Sequence, residues 1–440
     1  MNQSEFLAEF GSRTAAYIDG AQTDTCPVLV SIAPAAHSAA GHLLATALIN
    51  QLARAHRHLI IVGDLDRPLL CRQPFAFDDL RAATSGLALA INPHIEIETA
   101  QRLPGGDHLL HIGIGAGGEE PDLQVGCEGW CARFGSEAEV TDSETSVWGA
   151  ALASALAAAV AFHLMLGNDF ALESSYSLWE GGAVGDLQGP AWASPLDLGR
   201  VLQVGAGAVG VALNYWLIAV GNSGEYWQLV DGDLVDATNL NRQLLFLAAD
   251  AGYPDCEPAK KATRAAGLLG AQSDPQLWGK DDALVERQYD LVLALANEDD
   301  VRSALQRRQP PLLLHATTSA NWQAQVHRHI RGRDDCIECR LPDAPPQLRC
   351  STGEINKVKR IDAALPFLSA LAGLLLATEL VRLAEGELGD SDVNFRALDL
   401  AGEAPVVQVL RFRCHAGCST WLPSAIRRSI AADTRFAHLD

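Results

Sequence analysis

Gly205-Ala-Gly207-Ala-Val-Gly210 follows a short apolar run, Val201-Leu-Gln-Val204, and opens an apolar helical pattern that continues to Val220. Glycines at this spacing allow a tight turn, close approach of the main chain to a phosphate, and close packing of helix on strand, with the helix N-terminus facing the anion. A second apolar run, Tyr226–Val230, ends on Asp231, where a carboxylate can take a ribose hydroxyl. The pattern predicts a bound nucleotide. It does not choose one, because a dinucleotide dehydrogenase carries the same glycines and acid.

Residues further on narrow the choice. Asp231-Gly-Asp233-Leu-Val235 runs into Asn239-Leu-Asn-Arg242-Gln243, and Lys260-Lys261 begins an Ala-rich helix. This set closely resembles the ATP site of the ubiquitin-activating enzyme superfamily, which includes adenylyltransferases of the ThiF, MoeB and HesA type. The resemblance implies that Gly205, Gly207, Gly210, Asp231, Asp233, Asn239, Arg242, Gln243 and Lys261 surround ATP, the helix register favouring Lys261 over Lys260. An attacking carboxylate and the α-phosphate of ATP are both negative, so joining them needs fixed positive charge and oriented donors. Arg242 and Lys261 would supply the charge, and Asn239 and Gln243 the donors. The family places a Mg2+-binding Asp just after the strand corresponding to Asp290–Leu295. Aligned on Val301-Arg302, that position is Asn297. An amide offers Mg2+ a carbonyl oxygen without a charge; Glu298, Asp299 and Asp300 stand close by in sequence.

Cys336-x-x-Cys339 and Cys414-x-x-x-Cys418 are two close pairs far apart in the chain. Four thiolates suit a closed tetrahedral Zn2+ site, structural in kind, and bacterial activating enzymes often carry one at these places. Cys127 and Cys131 have no partner pair and read as core. Cys350 stands apart in Arg349-Cys-Ser-Thr352-Gly353. In the family this segment crosses over the nucleotide, and its cysteine receives the activated tail as a thioester. Arg349, Lys357, Lys359 and Arg360 would favour its thiolate. His315, His327 and His329 lie in apolar strand patterns and read as core or surface histidines.

These residues need two sheets to hold them. The second half reads as strand, glycine loop, helix and strand, then further buried strands at Tyr289–Leu295 and Pro311–Ala316. The first half repeats the order weakly: Val28–Ile32, a helix over His37–Ala53, Leu59–Val62, then Leu70-Cys-Arg72-Gln73 where the second has Leu240-Asn-Arg242-Gln243. Ala33-Pro-Ala-Ala-His37 replaces the glycine loop. The fold class expected is α/β, with duplicated Rossmann-like domains and mainly parallel sheets in a pseudo-dimeric arrangement. Residues 1–167 form the inactive copy, 168–198 a linker, and 199–440 the active copy with the crossover segment and zinc site.

The chain has 440 residues, 48% of them apolar and 20% charged, which suits two domains with substantial cores. Its formal charge of −21 excludes the basic footprint that nucleic acids and anionic membranes require. Met1–Gly20 carries Glu5, Glu9 and Asp19 without an apolar stretch, and ten cysteines without a leader predict a reducing, cytoplasmic setting. The apolar runs Ala150–Leu166 and Leu365–Leu376 read as buried helices, too short or interrupted to span a bilayer.

The resemblance as a whole implies an activating enzyme of a bacterial ubiquitin-like conjugation system, several of which have antiviral roles. Its steps would be adenylation of the C-terminal glycine of a ubiquitin-like protein, thioester formation on Cys350, and transfer to a ubiquitin-conjugating-like enzyme. In homodimeric relatives an Arg enters from the other subunit; Arg13 stands in a comparable place by position. The alternatives are adenylation of a sulfur-carrier protein for cofactor biosynthesis, and a binding scaffold that has lost catalysis, for which Asn297 speaks. Pairing of two chains as a homodimer stays open.

Overall fold

The computed structural model describes residues 2–15, 27–105, 107–117, 120–183, 189–191, 195–279, 288–297, 299–340, 365–387, 392–414 and 418. Eight strands belong to the first half: β1 (Val28–Ile32), β2 (His58–Val62), β3 (Glu96–Ala100), β4 (Leu110–Ile114), β5 (Leu123–Glu128), β6 (Cys131–Phe134), β7 (Ser175–Ser177) and β8 (Gly182–Ala183). Eight more belong to the second: β9 (Val201–Val204), β10 (Trp227–Val230), β11 (Gln272–Asp274), β12 (Leu291–Ala294), β13 (Leu312–Thr318), β14 (Gln323–Ile330), β15 (Phe395–Asp399) and β16 (Val406–Leu410).

The first sheet runs β3-β2-β1-β4-β5-β6-β7-β8 and the second β11-β10-β9-β12-β13-β14-β15-β16. The two orders are the same. So are the directions: the pairs from β3 to β5 are parallel and those from β5 to β8 antiparallel, and the second sheet repeats this from β11 to β13 and from β13 to β16. The duplicated α/β plan therefore holds strand for strand at the level of topology. β1, β2, β9, β10 and β12 are short, mostly apolar and chiefly buried segments, the composition of parallel strands covered on both faces. β7 and β8 fall inside 168–198, read from sequence as a linker. They are short and rich in Ser and Gly, so they carry little strand signal, yet they complete the first sheet.

The helices are α1 (Gln3–Ala15), α2 (Ala39–Ala55), α3 (Leu87–Ile91), α4 (Ser146–Met165), α5 (Ala208–Ala219), α6 (Lys261–Leu269), α7 (Asp299–Arg307), α8 (Ile337–Arg340) and α9 (Pro366–Ala384). α2 and α5 are the first crossovers of the two copies. α4 and α9 are apolar on all sides, as central helices are. Both are long and apolar enough to cross a bilayer, further than the apolar runs alone suggest, but 89% of each apolar window is buried inside the protein. Phe162 of α4 meets Phe367 of α9 with ring centroids 5.6 Å apart, in an apolar core continuous across both halves.

Candidate functional site

Three glycines after β9 have three different reasons to be glycine. Gly205 takes φ +108°, and a Cβ there would lie 2.5 Å from the Ala296 main-chain nitrogen. No L side chain fits. A Cβ on Gly210 would strike the Gly205 carbonyl oxygen. Gly207 instead is the N-cap of α5, in extended conformation and without a side-chain cap, and a Cβ there would meet no atom of the described residues within 4 Å. The first N–H groups of α5 thus keep the demand for an anion that every helix start carries. This cradle fits a phosphate.

Asp231 directly follows β10. Its Oδ2 accepts from Ala206 N at 2.7 Å and its Oδ1 from Asp233 N at 2.9 Å, so the acid also ties the glycine loop to the strand end. Burial pushes its carboxyl above the ordinary range, and the Lys261 charge opposes that rise. Lys261, at the start of α6, is buried and donates from Nζ to Asp233 Oδ2 at 3.0 Å, whereas Lys260 is exposed.

The loop after Asp233 makes a short 3-10 turn, Ala237–Asn239, closed by Asp236. Thr238 N donates to Asp236 Oδ1 at 2.7 Å, and Asp236 N donates to Asn239 Oδ1 at 3.1 Å. Arg242 donates from Nη1 to Thr238 O at 2.5 Å and to Asn241 Oδ1 at 2.9 Å. Gln243 is buried, and its Oε1 has no hydrogen-bond partner among the described residues. Leaving such an atom unpaired costs roughly 1–3 kcal/mol, which a ligand donor would relieve. Asn297 is exposed in the loop after β12, close to buried Arg302, whose Nε donates to Ala296 O at 2.9 Å. Asn297 offers Mg2+ one neutral oxygen. Glu298 and Cys350 lie outside the described residues, as do the side chains of Asp299, Asp300 and Arg13.

Ligand atoms of Cys336, Cys339, Cys414 and Cys418 all lie within 4.8 Å of one another. Four sulfurs so grouped fit a tetrahedral zinc ion. The residues around them brace the set. Asp335, beside Cys336, accepts from Arg340 Nε at 2.6 Å and from Asn394 Nδ2 at 2.9 Å. Asn394 also accepts from Phe412 N at 2.7 Å, two residues before Cys414, and the Arg340 guanidinium lies 4.0 Å over the Phe412 ring. Arg340 and Asp335 thereby link the two cysteine pairs outside the sulfurs themselves. His315, His327 and His329 form a buried stack across β13 and β14, with ring centroids 4.0 and 5.1 Å from His315. Burial keeps all three imidazoles below their ordinary range, so they are neutral core residues.

The matching place in the first half is filled by the chain itself. Ser38 caps α2, its Oγ accepting from Gly41 N at 3.1 Å, and Asp142 Oδ1 accepts from Ala40 N at 3.2 Å. His42 Nδ1 accepts from Leu70 N at 3.1 Å, which puts its proton on Nε2, 3.2 Å from His37 Nδ1. Gly41 survives as the counterpart of Gly210: a Cβ there would strike Ala36 O.

Comparison with known proteins gives these geometries a family. The ThiF family profile matches residues 189–420, more than half of the chain. The chain belongs to the ThiF family. A second profile, the BilD N-terminal domain, matches residues 27–179. This ThiF-family chain is similar to the sulfur carrier protein adenylyltransferase of Thermus thermophilus, 29% identical over 209 residues that cover 45% of this chain and 73% of the relative. It is also similar to the adenylyltransferase and sulfurtransferase MOCS3 of Mus musculus, 30% identical over 207 residues, covering 44% and 42%. The chain spans half or less of the length of such two-activity relatives. Among solved structures, E. coli MccB with MccA-N7isoASN aligns with a TM-score of 0.38 at 16% identity, over 50% of this chain and 66% of that one.

Proposed function

We propose that this ThiF-family chain uses ATP to adenylate the C-terminal carboxylate of a small ubiquitin-like protein. The observation that carries the reading is the pairing of an uncapped helix start at Gly207 with the buried, unpartnered Gln243 Oε1 on the loop that also bears Arg242. The first suits a phosphate, and the second awaits a hydrogen-bond donor such as a peptide tail. In the reaction a carboxylate oxygen attacks the α-phosphorus, the bond to the β-phosphate bridging oxygen breaks, and pyrophosphate leaves. Arg242 and Lys261 offset the charge that gathers as the two anions meet, and Asp231 orients the ribose. Mg2+, when bound, would neutralise phosphate charge, with Asn297 the nearest matching position. Zinc on Cys336, Cys339, Cys414 and Cys418 would pin the C-terminal segment to α8.

The further steps, a thioester on Cys350 and transfer to a conjugating-like enzyme, belong to the same proposal and rest on the family resemblance. A second reading has its own support. One relative is named a sulfur carrier protein adenylyltransferase and others adenylyltransferase and sulfurtransferase, which favours a sulfur-carrier protein as substrate. The fused, degenerate first copy favours the conjugation reading. ATP–pyrophosphate exchange in the presence of each class of small protein tests adenylation itself. Intact mass before and after thiol reductant then separates the two: a reductant-labile adduct lost in Cys350→Ala supports conjugation. Adenylation without an adduct supports the sulfur carrier, and exchange with neither class overturns the proposal.

A further inference from the structure

At one of the places where the halves meet, α2 of the first packs against Leu240–Phe246 of the second. Arg54, in the last turn of α2, is buried, and its guanidinium is spent on main-chain carbonyls across the boundary. Nη1 donates to Leu240 O, and Nη2 donates to Leu244 O and Phe246 O, both at 3.1 Å. Nε donates to Asn50 Oδ1 at 2.8 Å, and Asn50 Nδ2 donates to Leu244 O at 3.2 Å. The three carbonyls bracket Arg242 and Gln243 in sequence. From another side Thr14 Oγ1 of α1 accepts from Asn241 Nδ2 at 3.0 Å, and Asn241 in turn holds Arg242.

A planar guanidinium with fixed N–H directions suits three carbonyls at once, which an ammonium or an apolar side chain does not. Nothing about α2 as a helix asks for it, since the buried residues around it are chiefly Ala, Leu and Ile. We propose that Arg54 of the first half is a positioning residue for the second half's nucleotide site, fixing the main chain of Leu240–Phe246 so that Arg242 and Gln243 stand ready for the triphosphate and the incoming carboxylate. The inference deepens the adenylation reading and rests on it. The degenerate copy thereby acquires a function of its own, since its helix sets a loop that the live copy uses. Arg54 touches neither the glycine loop nor Asp231, so holding of the nucleotide and alignment for reaction separate.

The test uses the full chain with Arg54→Lys and, as an independent cut of the same contact, Asn50→Leu. Amide hydrogen exchange over residues 239–246 is expected to quicken roughly tenfold or more, with the rest of the chain unchanged. The kcat of ATP–pyrophosphate exchange should fall by about tenfold or more, while the Kd for ADP stays within about threefold. Unchanged protection of 239–246 in both variants would overturn the inference. So would loss of protection throughout the chain together with ADP binding, the result of a merely structural role. A wild-type chain that exchanges no pyrophosphate overturns the adenylation reading alone, and the hydrogen-exchange comparison still decides whether Arg54 fixes the segment.

Discussion

The two sheets share one strand order, yet the helices that follow β1 and β9 begin in opposite ways. α2 starts under a Ser38 cap with the Asp142 carboxylate on Ala40 N, whereas α5 starts on Gly207 with no side-chain cap and, among the described residues, no atom within 4 Å of where a Cβ would stand. Helix starts need acceptors in either case. In the first copy the chain provides them, one from a residue 102 positions away; in the second the N-cap glycine provides no side-chain cap. The packing glycine persists in both, as Gly41 and Gly210, because a Cβ would strike the loop carbonyl in each. What differs is only the part that would face a phosphate. The two copies thus share one strand order and differ at the helix start, where the first is capped by its own side chains and the second begins on glycine.

That contrast can be broken by making the live copy resemble the dead one. Gly207→Asp places a carboxylate at the uncapped start of α5, and nucleotide affinity should fall by about 10³-fold or more, near 4 kcal/mol, with Tm preserved. Isothermal titration with ATP beside a thermal melt checks both parts. A smaller loss is expected from Lys261→Met, which removes one fixed charge. The kcat of pyrophosphate exchange should drop on the order of 10²-fold, with a lesser change in nucleotide Kd.

The filled site of the first copy also has a pH signature. Burial, and then the neighbouring His37, hold His42 down to about 4. A folded-state value below the unfolded one means that stability is fully present above about 6.5 and is lost as pH falls toward 4. The difference in unfolding free energy between wild type and His42→Gln should therefore shrink across that window, by no more than about 3 kcal/mol. The smallest effect is expected from Asp142→Ala, which costs about 1 kcal/mol of helix capping. It should lower Tm slightly and create no nucleotide binding in the first copy, since Ser38 and the histidine pair remain.

Much of this was legible in the sequence because it is local. The glycine spacing, the acid at the end of β10 and the Asn239–Gln243 segment lie within about one βαβ unit, and short Val/Leu/Ile runs mark parallel strands wherever they fall. Asp142 could not be read as the acid at the first copy's helix start, because only the folded chain brings it to Ala40. Arg54 gave a fainter signal: a guanidinium at the end of a helix rich in Ala and Leu, with Asn50 one turn before it, reads as a surface position until the second half is packed against it. β7 and β8 were hidden by their shortness and by Ser and Gly, residues that speak of turns. The four cysteines were legible for the reason local motifs are, the two members of each pair being close in sequence.

Two sheets of one topology are expected to carry one nucleotide site, after β9. An equilibrium titration of the intact chain with ATP tests it most directly, repeated on Gly207→Asp. One nucleotide per chain is expected in the wild type and none in the variant. Two nucleotides per chain, or binding that survives Gly207→Asp undiminished, would contradict it.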